Sequence, residues 1–159
     1  MSRLVEDIHI HAAPEEVFAR VEATASYGEW LPRCFREVAT APGGGFACTL
    51  ALPLRSEAVR LEPVRVEAPA LLHFRASEGA RGFESLTWQL SAEGPREVHL
   101  ELQAVYTPAG GFGGALLDVL LLRAHRRQAL RDALWRLKHL LEGSGPSGGN
   151  GSAASSELP

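Results

Sequence analysis

The side chains that could ligate a metal ion or transfer a proton are scattered along this sequence. His9 and His11 stand two residues apart, a spacing that turns both imidazoles to one face of a strand. No third ligand is near them in the sequence, so we expect no metal site. Cys34 and Cys48 show no CxxC or paired-histidine spacing, which argues against a zinc site and a disulfide framework. We also expect no cofactor.

A second group of chemically active residues lies near the C-terminus. Arg123, His125, Arg126 and Arg127 follow one another closely, with Asp118 shortly before them. Two interpretations remain open. The basic residues form the solvated face of a helix, or they line the mouth of a cavity and bind an anionic head group.

The composition is that of an ordinary globular protein. The chain has 159 residues, of which 45% are hydrophobic and 22% charged, enough for one domain with a real core. The net charge of -3 provides no basic surface for nucleic acid. One lysine stands against fifteen arginines, as is typical of a GC-rich genome. Without an apolar signal peptide or a spanning segment, we expect a cytoplasmic protein.

The hydrophobic periodicity predicts the order of the secondary structure. Residues 3 to 11 alternate as a strand with one buried face. Pro14 begins a predicted helix of about three turns, and Ser26 can cap a second short helix that carries Trp30. Six strands then follow, and a Leu-rich helix runs from about Gly113 to Glu142. The Gly/Ser-rich residues 143–159 are expected to be disordered, which leaves one domain over residues 1–142.

Alternation within the strands divides the sheet into an apolar and a solvated face. The solvated face is expected to carry His9, Glu57, His73, His99 and Glu101. The apolar face contains no charged residue in this assignment, and its polar atoms belong to Cys48, Trp88 and Tyr106. Its expected members are Ile8, Ile10, Phe46, Cys48, Leu50, Leu52, Val59, Leu61, Val64, Val66, Leu72, Phe74, Ala76, Leu86, Trp88, Leu90, Val98, Leu100, Leu102, Ala104 and Tyr106.

Two segments resemble a known family. The opening IHIHAAPEEVFARVEATASYGEWLP and the closing GGALLDVLLLRAHRRQALRDALWRLKHLLEG are similar to the polyketide cyclase/dehydrase-like branch of the START/birch-pollen-allergen superfamily. The resemblance covers about residues 3 to 142. It implies an α+β helix-grip fold, in which a curved seven-stranded antiparallel sheet wraps a long C-terminal helix, with two short helices between strands 1 and 2.

In such a fold, a cavity between the sheet and the helix is expected to bind a small hydrophobic ligand. Candidates are a lipid, an isoprenoid or quinone, or a polyketide-like aromatic. The residues expected to bind it are Phe18, Trp30, Phe35, Phe74, Trp88, Tyr106, Leu117 and Leu120. For Trp30, Trp88 and Tyr106, a role in core packing is the alternative. The Gly110–Gly114 run is either a hinge that opens the cavity or a simple loop.

Two other functions remain open. The first is an enzyme of the polyketide cyclase/aromatase or dehydratase kind, in which Tyr106 or a loop residue moves a proton. The second is a partner-binding module that uses the Leu-rich start of the last helix. We expect no nucleic-acid partner and no stable membrane insertion, with transient membrane contact allowed. The protein is expected to be a monomer or a weak dimer.

Overall fold

The computed structural model describes residues 1–78 and 82–143. The tail that the sequence predicts to be disordered, residues 143–159, lies outside them except for Gly143. Seven strands form one antiparallel sheet in the order β1-β7-β6-β5-β4-β3-β2. The strands are β1 (Ser2–Ile10), β2 (Phe35–Ala41), β3 (Gly45–Leu52), β4 (Arg55–Glu67), β5 (Leu71–Ala76), β6 (Phe83–Gly94) and β7 (Glu97–Tyr106). Strands β2 to β7 form a meander, and β1 pairs with β7. The predicted helix-grip topology is confirmed.

Short helices connect the two edge strands β1 and β2. Helix α1 (Pro14–Glu22) begins with proline and has Glu15 and Glu16 in its first turn, where the helix dipole favours carboxylates. A 3₁₀ turn (Thr24–Ser26) leads into α2 (Tyr27–Trp30). The Ser26 side chain does not cap α2 as predicted; its hydroxyl donates to the carbonyl of Ala23 at 2.7 Å.

The C-terminal helix is continuous from residue 111 to residue 143. It consists of α3 (Gly111–Leu117), a π turn (Asp118–Leu122) and α4 (Arg123–Gly143). Gly110 precedes it with a φ of +96°, a conformation that favours glycine. The helix therefore starts two residues earlier than predicted, and Gly143 belongs to it rather than to the tail.

The π turn agrees with the spacing of buried residues along the helix. Five of them recur every four positions: Asp118, Leu122, Arg126, Leu130 and Leu134. An α-helix has 3.6 residues per turn, so a spacing of four drifts around the helix. The wider π turn offsets this drift at its N-terminal end. Asp118 and Leu122 consequently face the sheet together with α4.

The core fills the space between the inner face of the sheet and this helix, and three strand residues differ from the expected pattern. Val64 and Val66 are about half exposed, because β4 has an irregularity between Pro63 and Arg65 and extends beyond the covered part of the sheet. Glu57 was expected in solvent but is buried opposite Leu50. Within the described residues, no helix is long and apolar enough to cross a membrane.

Candidate functional site: an apolar cavity beside a buried charge cluster

A small cavity lies between the sheet, α2 and α4. We call it the apolar cavity; its volume is about 20 Å³, room for about one water molecule. Every wall residue is aromatic or aliphatic, and the polar side-chain atoms among them belong to Tyr27 and Trp88. The walls consist of Tyr27, Leu31, Phe35, Phe46, Val59, Phe83, Leu86, Trp88, Leu102, Leu130 and Ala133.

Edge-to-face aromatic contacts hold these walls in place. The ring centroids of Trp30 and Trp88 are 6.1 Å apart, and those of Tyr27 and Trp30 are 5.0 Å apart. Tyr27 also packs against Phe46 at 4.9 Å, and its hydroxyl donates to the carbonyl of Val21. Burial raises the pKa of Tyr27 far above its usual range, so this phenol stays protonated. The wall is therefore uncharged.

The structure separates the eight residues predicted to bind ligand. Phe35 and Trp88 line the apolar cavity. Phe18, Trp30 and Phe74 are buried in the surrounding core without lining it. The remaining three do not line the cavity. Tyr106 is buried beside Asp118, Leu117 is only partly buried, and Leu120 is 74% exposed. The structure thus does not bring Leu120 to the cavity.

Beside the apolar cavity lies a group of four buried polar residues, which we call the charge cluster: Glu57, Tyr106, Asp118 and Arg126. Each is at most 4% exposed. The Arg126 guanidinium binds both carboxylate oxygens of Glu57, with Nη2 at 2.6 Å from Oε2, and its Nε donates to Asp118 Oδ1 at 3.0 Å. The Tyr106 hydroxyl donates to Asp118 Oδ2 at 2.6 Å.

The charges in this cluster compensate one another. Burial acts to lower the pKa of Arg126, but the hydrogen bonds and charges of Glu57 and Asp118 outweigh it and raise that pKa. Burial, followed by the Asp118 interaction, raises the pKa of Tyr106 against the opposing influence of Arg123 and Arg126. Arg126 also lies over the Tyr106 ring, with Cζ 4.2 Å from its centroid. Tyr106 is therefore protonated and Arg126 is charged.

The cluster and the cavity share neighbouring residues. On β4, Glu57 belongs to the cluster and Val59, the next inward residue, lines the cavity. On α4, Arg126 lies one turn before the cavity residue Leu130. The ring of Phe83, another cavity residue, meets the Tyr106 ring edge-on at 6.5 Å. One layer of side chains therefore separates the two sites.

Two members of the cluster were missed in the sequence, although a signal was present for each. Glu57 has the same parity as Val59 and Leu61, both assigned to the inner face, so its placement in solvent was wrong. Arg126 lies four residues before Leu130 on the buried stripe of α4. Continuing each pattern by one step would have placed both charges inside.

The basic group of the last helix does not act as a unit. Arg126 is buried, whereas Arg123 donates to the carbonyl of Arg3 and Arg127 pairs with Glu6 at 3.1 Å. His125 is exposed, and its Nδ1 lies 3.1 Å from the carbonyl of Leu121. The common mouth for an anionic head group is therefore not present.

His9 and His11 have different neighbours, and the backbone N–H of His11 donates to Glu142 Oε2 at 2.9 Å. His9 stacks on His99 at 4.9 Å, and each has its own carboxylate: Glu93 for His9 and Asp7 for His99. Among the described residues, no three His, Cys, Asp or Glu side chains are grouped as a metal ion would need.

Comparisons with known proteins agree with this architecture. TTHA0849 from Thermus thermophilus has a TM-score of 0.74 at 19% identity, covering 91% of this chain and 100% of its own. A START superfamily protein from Mycobacterium smegmatis has a TM-score of 0.61 at 14% identity, covering 90% and 99%. The di-domain ARO/CYC BexL, from the BE-7585A biosynthetic pathway, has a TM-score of 0.66 at 16% identity, covering 91% of this chain and 51% of BexL.

No curated protein matches the sequence. The family model described as "Polyketide cyclase / dehydrase and lipid transport" matches residues 1–142. Fold and family together support a role in hydrophobic ligand binding or polyketide processing. On this match, which covers nearly the whole chain, the protein belongs to the polyketide cyclase/dehydrase and lipid transport family.

Proposed function

We propose that this protein binds a small hydrophobic molecule between its sheet and its C-terminal helix. A lipid, an isoprenoid or quinone, and a polyketide-like aromatic are the candidate ligands. The observation that carries this proposal is the apolar cavity, which five aromatic rings surround: Tyr27, Phe35, Phe46, Phe83 and Trp88. A concave, aromatic wall with few polar atoms is typical of sites for such ligands.

A ligand of this kind requires the cavity to expand. The volume of about 20 Å³ is far below the ~150 Å³ with which an apolar cavity holds benzene. A groove of about 190 Å³ lies next to it, between β3 and α4. Cys34 and Ala129 line the groove, and their chain neighbours Phe35 and Leu130 line the cavity. We place the ligand entrance here, where a small displacement joins the two spaces.

The start of the C-terminal helix is a second place where the ligand site could open. No residue of α3 is buried, and Gly110 and Gly111 both have positive φ values. Phe112 and Val119 are exposed on this segment. The sequence leaves a hinge and a simple loop open for the glycine run, and these features favour the hinge, which would release α3 from the sheet without unfolding α4.

The proposal is tested by titrating the purified protein with an environment-sensitive apolar dye and with a fatty acid. Fluorescence and calorimetry should show saturation at about one ligand per chain. Native mass spectrometry of protein purified from its own host should reveal a co-purifying apolar molecule. The absence of any saturable site in the folded wild type would contradict the proposal.

The charge cluster favours a second candidate, an enzyme of the cyclase/aromatase or dehydratase kind. Tyr106 holds a proton that it shares with Asp118, one side-chain layer away from the apolar cavity. In an opened cavity, such a phenol could give its proton to a ketone oxygen of a folded polyketide as an enol carbon of the same chain bonds to that carbonyl carbon, and the phenolate would then recover the proton that the enol hydroxyl releases. Turnover of a linear poly-β-ketone analogue, followed by mass spectrometry, should then be lost in Tyr106→Phe. If the wild type forms no product, this candidate fails and binding alone remains.

A further inference from the structure

The first turns of the C-terminal helix have an exposed side that is entirely apolar. We call it the exposed apolar face; it consists of Phe112, Leu116, Val119 and Leu120, which are 50% to 87% exposed. Their spacing of i, i+4, i+7 and i+8 places them on one side of the helix. The other side contacts the core through Leu117 and Leu122. The helix is therefore apolar on both sides here, and the described part of the chain covers only one of them.

The chemistry of this segment favours a lipid surface over a protein partner. From Pro108 to Leu122 the sequence has one polar side chain, Asp118. That carboxylate is buried and already bonded to Arg126 and Tyr106. A protein–protein interface contains about one hydrogen bond per 100–200 Å², which these side chains cannot supply. The boundary between lipid head groups and acyl chains accepts an apolar helix face without such bonds.

Positive charge follows the exposed apolar face along the same helix. Residues 108–131 contain four arginines and one acidic residue, the buried aspartate, although the whole chain has a net charge of -3. Arg127 and Arg131 share a single carboxylate, that of Glu6. Arg123 donates to a backbone carbonyl, which carries no charge. The guanidinium groups next to the face are thus only partly neutralised, which complements an anionic surface.

We propose that the exposed apolar face docks on the surface of an anionic lipid bilayer. Its four side chains enter the boundary between head groups and acyl chains, and the arginines that follow lie at the lipid phosphates. Apolar residues on one side of a helix, with arginines beside them, bind membranes in this way. No helix of the described residues is long and apolar enough to cross the bilayer, so the contact is peripheral. This inference goes beyond the proposed ligand binding and does not depend on it.

The first test is flotation of the full-length protein with lipid vesicles. Phosphatidylcholine vesicles that contain about 30% phosphatidylserine should carry the protein to the top of the gradient, and vesicles of phosphatidylcholine alone should carry far less. Raising the salt concentration from about 0.1 M to about 0.5 M should release the protein from the anionic vesicles, because salt screens the attraction between arginine and phosphate.

The second test removes apolar surface from the face. Phe112→Ser/Val119→Ser should lower the partition coefficient on the anionic vesicles about tenfold or more, since two side chains no longer leave water on docking. The matched control is Val64→Ser/Val66→Ser, which changes two half-exposed residues of β4 and should leave the coefficient within about twofold of the wild type. All four side chains are exposed in the fold, so thermal unfolding of both variants should resemble that of the wild type.

The outcomes separate this inference from the proposed function and from a protein partner. Equal flotation with neutral and anionic vesicles, or equal flotation of Phe112→Ser/Val119→Ser and wild type, would overturn the docking surface. A dimer that this variant dissociates in analytical ultracentrifugation, without any vesicle binding, would also overturn it and assign the face to a second copy of the chain. Dye titration without vesicles tests ligand binding separately, and the variant should bind the dye as the wild type does.

Discussion

The apolar cavity and the charge cluster lie next to each other between the same sheet and the same helix, yet they are built from opposite chemistry. Around the cavity, aromatic rings meet at their edges and leave about 20 Å³ unfilled. In the cluster, Glu57, Asp118, Arg126 and Tyr106 are joined by directed hydrogen bonds. Aromatic contacts tolerate small displacements, whereas the paired charges require one geometry. We conclude that the cluster fixes the π turn to the sheet, and that the cavity is the part able to adapt to a ligand.

The largest effect is expected from removing the central cation of the cluster. Arg126→Met leaves the Asp118 carboxylate buried without its charged partner, and leaves Glu57 only the partly exposed Arg55, whose Nε is 3.9 Å from Oε2. This variant should lower the free energy of unfolding by about 3–5 kcal/mol. Urea denaturation measures this change. Arg131→Met, which removes a half-exposed partner of Glu6, serves as the control and should cost less than about 1 kcal/mol.

A triple variant sharpens this result. Replacing Glu57 and Asp118 by Leu together with Arg126→Met removes all three charges and should recover most of the lost stability. Equal costs for the single Arg126→Met and Arg131→Met variants would show that the buried ion pairs do not hold the helix to the sheet.

The second prediction tests the assignment of the inner face on which the comparison depends. Leu134→Ala removes a buried side chain of α4 and should cost about 2–5 kcal/mol in the free energy of unfolding. Glu101→Gln, on the outer face of β7, should cost less than about 0.5 kcal/mol. Thermal and urea unfolding of both variants give the comparison, and similar costs would contradict the assignment.

Ligand affinity should distinguish the two sites directly. Trp88→Ala deletes a ring of the cavity wall and should change the dissociation constant of a bound apolar dye by about tenfold or more. Tyr106→Phe keeps the ring in the cluster and removes only its hydroxyl, so the same constant should change less than about twofold. A larger effect at Tyr106 than at Trp88 would place the ligand against the charge cluster instead.

The smallest expected effect concerns stability at alkaline pH. Burial raises the pKa of both Tyr27 and Tyr106, so the folded state keeps two phenolic protons that the unfolded chain loses above about pH 10. The stability due to each group is present below that pH and falls by about 1.4 kcal/mol per pH unit until the folded pKa is reached.

Tyr27→Phe should therefore flatten the decline of stability measured by urea denaturation between pH 9.5 and 11. Tyr106→Phe should flatten it in the same direction, because burial raises the pKa of that phenol as well. Burial also raises the pKa of Cys48 to about 12. Its effect on stability is the same in the wild type and in both variants, so it cancels in the comparison. An unchanged slope in both variants would contradict the assigned burial.

Much of the architecture could be predicted from local patterns. Alternation identified the six-strand meander, and the Leu spacing identified α4, because both depend on neighbours within one element. Val64 and Val66 differ because their exposure depends on contacts between elements, namely the irregular pairing of β4 with β5. Ser26 differs for a local reason, because its hydroxyl donates to the carbonyl of Ala23 instead of capping α2.

The candidate site was predicted less completely than the fold. Phe35 and Trp88, two of the residues predicted to bind ligand, line the cavity, whereas the volume of that cavity depends on how side chains from five strands and two helices pack. Spacing in one element contains no information about such packing. Leu120 shows the same limit, since it lies in the π turn and is exposed instead of lining the cavity.

By itself, the sequence determined the order of the elements, the apolar inner face and the position of the long helix, because periodicity reports which side of an element is buried. It also contained the signs that Glu57 shares a strand face with Val59 and that Arg126 lies on the buried side of α4. Only the tertiary structure decided that these two charges, 69 residues apart, meet each other and Asp118 inside the core. The physical reason is that a buried charge is stable only with its partners in place, and partners from different elements meet only when the sheet closes over the helix.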